Sequence, residues 1–161
     1  MIKIRKMLPQ DYDAVINILA AWNMAPVTPS KEIPNPERSA INIKNTFVAL
    51  DGDKIVGVAS YIDLSGDLAE TASLAVNPRC KGSGIGFKLQ EARLQEMVQK
   101  GFKCVRSETD RPETINWYVK KFGYRIVGKN PKKHSFSLLD VDSWTVLELD
   151  LENYKKERQL R

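Results

Sequence analysis

Three glycines alternate in Gly82-Ser83-Gly84-Ile85-Gly86, between a β-rich run ending at Val76 and an amphipathic stretch that follows. Glycines so spaced at a strand-to-helix turn remove Cβ atoms and permit unusual dihedrals. Consecutive backbone N–H groups can then converge on one anion at the positive end of a helix dipole. Pro78 precedes the turn, and Arg79 and Lys81 add cationic partners for phosphate. The chemistry implied is capture of a diphosphate. Without these flanks the same glycines would read as no more than a tight connection.

Two nearby patterns narrow the guest. The dinucleotide fingerprint G-x-G-x-x-G fails because its third glycine comes one residue early, and the motif lies mid-chain after a hairpin signal, which argues against a nicotinamide cofactor. Gly123 to Asn130 follows phosphate-loop spacing as far as Lys129. It has Asn130 where a hydroxyl should bind magnesium, and it begins at a helix end, so it reads as coincidence. Cys80 and Cys104 are 24 residues apart and the single histidine, His134, is near neither, so no zinc spacing and no disulfide scaffold is present. No metal is expected.

The elements that must position the loop follow from periodicity. Residues 2–6 alternate apolar and basic as a half-buried strand. Pro9 and Asp11 then open a helix with Tyr12, Val15, Ile16, Leu19 and Trp22 at helical spacing. Four prolines between residues 25 and 36 mark a long loop, and a short polar helix is predicted over 37–44. Asp51-Gly52-Asp53 joins β-rich runs 46–50 and 54–62 as a hairpin. A third run, 68–76, leads to the glycine loop and to a helix over 84–100 with Phe87, Leu89, Ala92, Leu94 and Met97, stopped by Gly101. Strands over 102–106, 124–127 and 144–151 and a helix over 113–122 complete the order, and the charged run from Tyr154 to Arg161 reads as a solvated or frayed tail. The antiparallel hairpin followed by a strand-helix-strand crossover predicts an α/β (α+β) fold: a mixed, mainly antiparallel twisted sheet of about seven strands with helices on both faces.

Composition bounds the rest. At 161 residues, 42% hydrophobic and 28% charged, the chain suits one domain over 1–161, with 151–161 as its charged end. The net charge of +5, from 25 basic against 20 acidic residues, favours a phosphorylated partner. The acids are interspersed and the basic clusters at 129–133 and 155–161 are short, so no nucleic-acid partner is expected. Charges at Lys3, Arg5 and Lys6 interrupt the N-terminus, and no apolar run approaches the roughly 18 residues of a membrane span, which predicts a cytoplasmic protein without a membrane partner.

With these residues in place the chain resembles the GCN5-related N-acetyltransferases (GNAT). Val76-x-Pro78 followed by Lys81-Gly82-Ser83-Gly84-Ile85-Gly86 is similar to that family's acetyl-CoA loop. Ile115-Asn116-Trp117-Tyr118 through Phe122-Gly123-Tyr124 resembles its later tyrosine-bearing helix, and the element order from 2 to 151 fits its fold. Lys81 stands where the family usually has Gln or Arg, which keeps a cation but loses the planar fork. Tyr118 lies five residues before Gly123, whereas the common spacing of four falls on Val119.

The resemblance implies a GNAT-like acyl-CoA N-acyltransferase fold and direct transfer of an acetyl group from acetyl-CoA to a primary amine in a ternary complex. A non-catalytic sensor of CoA or acyl-CoA on the same scaffold is the alternative. Residues 82–86 and Lys81 would hold the diphosphate, and the backbone of Leu74, Ala75 and Val76 would pair with the pantetheine arm. Asn116 would contact CoA or cap a turn. For the base the candidate is Glu70, at the start of the strand leading to the loop and on the face of Ala72 and Leu74 by the period of two, against a plain strand-edge glutamate. Asp63 and Glu108 are weaker candidates. Tyr118 is the candidate acid, against a reading of Trp117 and Tyr118 as core aromatics. His134 is most simply exposed, and Cys80 is incidental because the transfer needs no cysteine. The acceptor, a small-molecule or protein amine, is not encoded in any motif, and the resemblance leaves a homodimer through the last strands open.

Overall fold

The computed structural model describes residues 1–26, 41–80, 82–132 and 137–158. Its elements are β1 (Ile2–Lys6), α1 (Tyr12–Ala21), β2 (Thr46–Asp51), β3 (Lys54–Ser65), β4 (Leu68–Val76), α2 (Ile85–Gln99), β5 (Cys104–Thr109), α3 (Pro112–Trp117), β6 (Arg125–Pro131), β7 (Ser143–Asp150) and α4 (Leu151–Arg158). The seven strands form one sheet in the order β1-β2-β3-β4-β5-β7-β6. The β1–β2, β2–β3, β5–β7 and β6–β7 pairs are antiparallel, while β4 and β5, joined through α2, are parallel over Leu68–Glu70 and Cys104–Arg106. This is the mixed, mainly antiparallel seven-stranded sheet that the sequence predicts; of the four helices among the described residues, α1, α2 and α3 were expected and α4 was not.

The chain divides into two compact units, Met1–Tyr61 with Ala72–Arg93 and Ile62–Thr71 with Leu94–Arg161. In the first, α1 places Val15, Ile18 and Leu19 at i, i+3 and i+4 against Met7, Val48, Leu50, Val58 and Ala75. Its entry is fixed by Asp11, whose carboxylate accepts from the Leu8 amide at 2.8 Å and from both arms of Arg5, at 2.6 and 3.2 Å. Next, α2 reaches β3 at Gly57, where an added Cβ would lie 2.9 Å from Leu89 Cδ1 and 3.1 Å from Ile85 Cγ2. Only a glycine admits so close an approach.

The second unit buries Val105, Leu147 and Leu149 along its strands with Phe102, Tyr118, Phe122, Tyr124, Leu151 and Tyr154. Inside it Asp110 Oδ2 accepts from Lys132 Nζ at 2.6 Å and from the Leu138 amide at 2.9 Å. Lys132 also donates to the Leu138 carbonyl at 2.8 Å and lies 4.7 Å from the Trp144 ring centroid. This buried pair holds residues on both sides of the β6–β7 connection.

Three sequence expectations change. The run 102–106 starts as a strand only at Cys104, because Gly101 (φ 87°) and Phe102 close α2: the Gly101 amide donates to Val98 and the Phe102 amide to Met97. Residues 151–158 form α4 rather than a frayed tail, and 159–161 lie outside the described residues. Asp150 Oδ1 caps the Glu152 and Asn153 amides, Leu151 and Tyr154 are buried, and the Arg158 guanidinium lies over the Tyr154 and Phe122 rings. Of the helix expected over 37–44, residues 37–40 lie outside the described residues, and Ile43–Asn45 is a single 3-10 turn. Among the described residues no helix is long and apolar enough to cross a membrane.

Candidate active site

In the first unit β4 delivers the glycine loop. Ala75 is buried in the core, and the Val76 carbonyl accepts from the indole Nε1 of Trp22 at 2.7 Å. The Asn77 amide then bonds the Val56 carbonyl at 2.8 Å, which ties the start of the loop to β3. A 3-10 turn over Pro78–Cys80 follows, closed by the Cys80 amide on the Asn77 carbonyl and by the Arg79 amide on Asn77 Oδ1. Ser83 Oγ donates to the Cys80 carbonyl at 2.5 Å.

Gly82 (φ 84°) and Gly84 (φ 79°) both take the left-handed conformation, and nothing lies within 4 Å of the Cβ either would carry. Two neighbouring positions therefore keep side chains away from open space just ahead of the N-terminus of α2, the positive end of its dipole. Ile85, the first residue of α2, is buried, while Gly82, Ser83 and Gly84 are exposed and Gly86 is half-buried. The cradle suits a diphosphate: backbone donors, a helix N-terminus, exposed Arg79, and no Cβ in the way. Lys81 lies outside the described residues, as does His134. Cys80 is a free, half-buried thiol beside the turn.

The second unit holds the candidate acid and base. Glu70, half-buried on β4, pairs in register with Arg106 of β5. Burial pushes its carboxyl pKa up, the like charge of Glu108 adds to the rise, and Arg106 opposes it. Arg106 also pairs with Glu148 at 3.5 Å, and its buried Nε has no hydrogen-bond partner among the described residues. Glu108 Oε1 accepts from Asn130 Nδ2 at 3.1 Å, and Asp63 is exposed on β3.

Tyr118 is 4% exposed, with its ring 4.7 Å from that of Tyr124 and 5.2 Å from that of Trp117. A π turn over Tyr118–Phe122 absorbs the unusual five-residue spacing to Gly123, because it holds one residue more than an α turn. It ends with Gly123 at φ 79° and its amide on the Tyr118 and Val119 carbonyls. Asn116 is exposed on α3. A buried cluster of hydroxyls lies in the same unit: Thr71 Oγ1 is 2.6 Å from Ser107 Oγ, which donates to the Tyr124 hydroxyl at 3.3 Å, and the Tyr124 ring is tilted against that of Tyr118.

The profile of the acetyltransferase (GNAT) family matches residues 12–124, a span that includes the glycine loop, Glu70, Asn116 and Tyr118. The chain belongs to this family. It is an acetyl-CoA-dependent N-acetyltransferase, and acetyl-CoA is its acetyl donor. No curated protein matches the chain in sequence. Among solved GNAT folds, Ard1 from Thermoplasma volcanium is 21% identical with a TM-score of 0.70, covering 92% of this chain and 97% of that one. The ribosomal-protein-S18-alanine N-acetyltransferase from Escherichia coli is 18% identical, TM-score 0.70, covering 94% of each chain. The yncA protein from Salmonella typhimurium, solved with its cofactor acetyl-CoA, is 16% identical, TM-score 0.69, covering 93% of this chain and 94% of that one.

Sequence reasoning missed Trp22 as a loop anchor. It lies at helical spacing with the α1 core residues, and only the fold brings its indole to the Val76 carbonyl, 54 positions away.

Proposed function

We propose that this GNAT enzyme transfers acetyl directly to a primary amine of a small molecule or a protein, with residues 1–161 acting as one catalytic domain. Gly82, Ser83, Gly84, Ile85 and Gly86 receive the diphosphate, with Lys81 as a cationic partner, and the backbone of Leu74, Ala75 and Val76 pairs with the pantetheine arm. Asn116 contacts CoA. When bound, acetyl-CoA supplies an activated thioester. Glu70 takes the proton from the acceptor ammonium so that the amine can attack, and the Tyr118 hydroxyl returns a proton to the departing sulfur. A dimer through the last strands would use β6, all seven of whose residues are exposed.

The observation that carries this reading is the environment of Glu70: burial and the neighbouring Glu108 make it a stronger base than a solvated glutamate. The test is kcat/KM against pH for native protein, Glu70→Gln and Tyr118→Phe. Loss of a positioned acid or base costs about 10²–10⁴ in rate, so each variant should fall by at least that lower bound while acetyl-CoA affinity holds. In Glu70→Gln the rise with pH that reports its carboxylate should vanish. A Glu70→Gln enzyme with native rate at every pH would exclude Glu70 as the base.

A further inference from the structure

The loop strand contains an oddity before it reaches the glycines. Of the described non-glycine residues with positive φ, namely Asn23, Ser73 and Ser137, only Ser73 lies within a strand, at φ 55° in β4. A serine in the left-handed region is strained, and such strain persists only where the surroundings hold it. The peptide just before Ser73 is held. Its oxygen, the Ala72 carbonyl, accepts from Arg93 Nη1 at 3.1 Å and from Ser60 Oγ at 3.1 Å.

Arg93 reaches this point from α2, fully buried, where it sits between Leu89 and Met97 on the i, i+4 stripe that faces inward. Its Nη1 also donates to the Ser60 carbonyl at 2.9 Å, while Nε (2.9 Å) and Nη2 donate to Gln90 Oε1, itself fully buried. Gln90 thus orients one edge of the planar guanidinium, and the other edge grips adjacent carbonyls of β3 and β4. The same helix begins at the glycine loop, so one element both opens the diphosphate cradle and fixes the strand leading into it.

We infer that Arg93 is a positioning residue for the cofactor. Its guanidinium pins the Ala72–Ser73 peptide in the strained conformation that aims the backbone of Leu74, Ala75 and Val76 at the pantetheine arm. This rests on the assignment of those three residues to the arm. Without the clamp the serine relaxes toward ordinary strand dihedrals and the following peptides turn, while the cradle at Gly82 and Gly84 keeps its shape.

The test compares two ligands on the full chain by calorimetry: acetyl-CoA, which carries the arm, and 3′-phospho-ADP, which carries only the diphosphate end. In Arg93→Met the acetyl-CoA Kd should rise about tenfold, the scale of one unsupported left-handed residue, while the 3′-phospho-ADP Kd changes less than about twofold. Adding Ser73→Gly to Arg93→Met should restore most of the loss, because glycine adopts this φ freely. A structural role alone would weaken both ligands together or neither, and Ser73→Gly would not rescue; either result overturns the inference. If Arg93→Met does not fold, Ser60→Ala removes a single bond to the same carbonyl and should give the same split on a smaller scale, and no split would overturn it. Equal native affinities for the two ligands would overturn the arm assignment and the clamp with it. A native difference that persists in Arg93→Met overturns the clamp alone.

Discussion

Gly57 is where packing and cofactor binding meet. A methyl group there would sit 2.9 Å from Leu89 Cδ1, 3.1 Å from Ile85 Cγ2 and 3.5 Å from Ala49 Cβ, and all three neighbours are buried. Overfilling such a site costs about 1–3 kcal/mol, and the stiffer unfolded chain offsets about 0.4–1 kcal/mol of it. The net loss for Gly57→Ala is about 1–2 kcal/mol, which at this chain length lowers the unfolding midpoint by roughly 2–8 °C. Because Ile85 directly follows Gly84, relief of the clash pushes the first turn of α2 and the glycine loop together. Acetyl-CoA affinity should therefore fall as well, by about tenfold for each 1.4 kcal/mol of misfit. Leu89→Ala removes the closest atom, so the double variant should be more stable than the sum of the singles by about 1 kcal/mol. Thermal unfolding and calorimetric titration of the three variants read both effects. A native-like midpoint in Gly57→Ala would refute the packing argument, and a lowered midpoint with unchanged acetyl-CoA affinity would refute the link from packing to the loop.

Other consequences are as direct. Gly84→Ala meets no atom but must hold φ 79°, so it should lose about 1–2 kcal/mol and most acetyl-CoA binding. Gly86→Ala, with 3.8 Å to Val76 Cγ2, should keep the native midpoint in the same thermal assay. The hydrogen bond from Arg5, with that from the Leu8 amide, holds the Asp11 carboxyl below its ordinary pKa despite burial. Its folded form thus binds protons less readily than its unfolded form, so its stabilisation is present above the usual carboxylate range and is lost as pH falls through the lowered value. Asp11→Asn should cost about 1–2 kcal/mol in urea unfolding at neutral pH, with the gap to native closing in acid. Lys132→Met leaves Asp110 buried without its cation and should cost about 3–5 kcal/mol, whereas Lys132→Met with Asp110→Leu should recover part of the loss.

The parts legible in the sequence are those whose residue identity is itself the structural requirement. Gly82 and Gly84 announce left-handed dihedrals because few other residues tolerate them, and Gly52 (φ 62°) marks its hairpin for the same reason. The loop can therefore be placed from the sequence. Glu70 could be proposed from its strand, but its raised pKa comes first from burial and then from the like charge of Glu108, with Arg106 opposing, an environment that linear spacing does not reveal. The helix α4 was hidden because Leu151 and Tyr154 are two apolar residues in a charged run, and their partners, Arg158 over Tyr154 and Phe122, are set by the fold. For Tyr118 the sequence exposes the extra residue but not the π turn that absorbs it. Arg93 was not singled out, although its place four residues after Leu89 and four before Met97 puts it on the buried stripe.

The most direct test of the account is to follow thiol release from acetyl-CoA across a panel of primary amines, with and without protein, alongside the intact mass of the protein. Native protein should release thiol only when an amine is present, in a one-to-one ratio with acetylated amine and with no acetyl adduct on the chain. A folded Gly84→Glu, whose carboxylate fills the diphosphate cradle, should release none. Thiol release without an amine, or a stoichiometric acetyl adduct on the protein that forms and decays at the turnover rate, would contradict direct transfer.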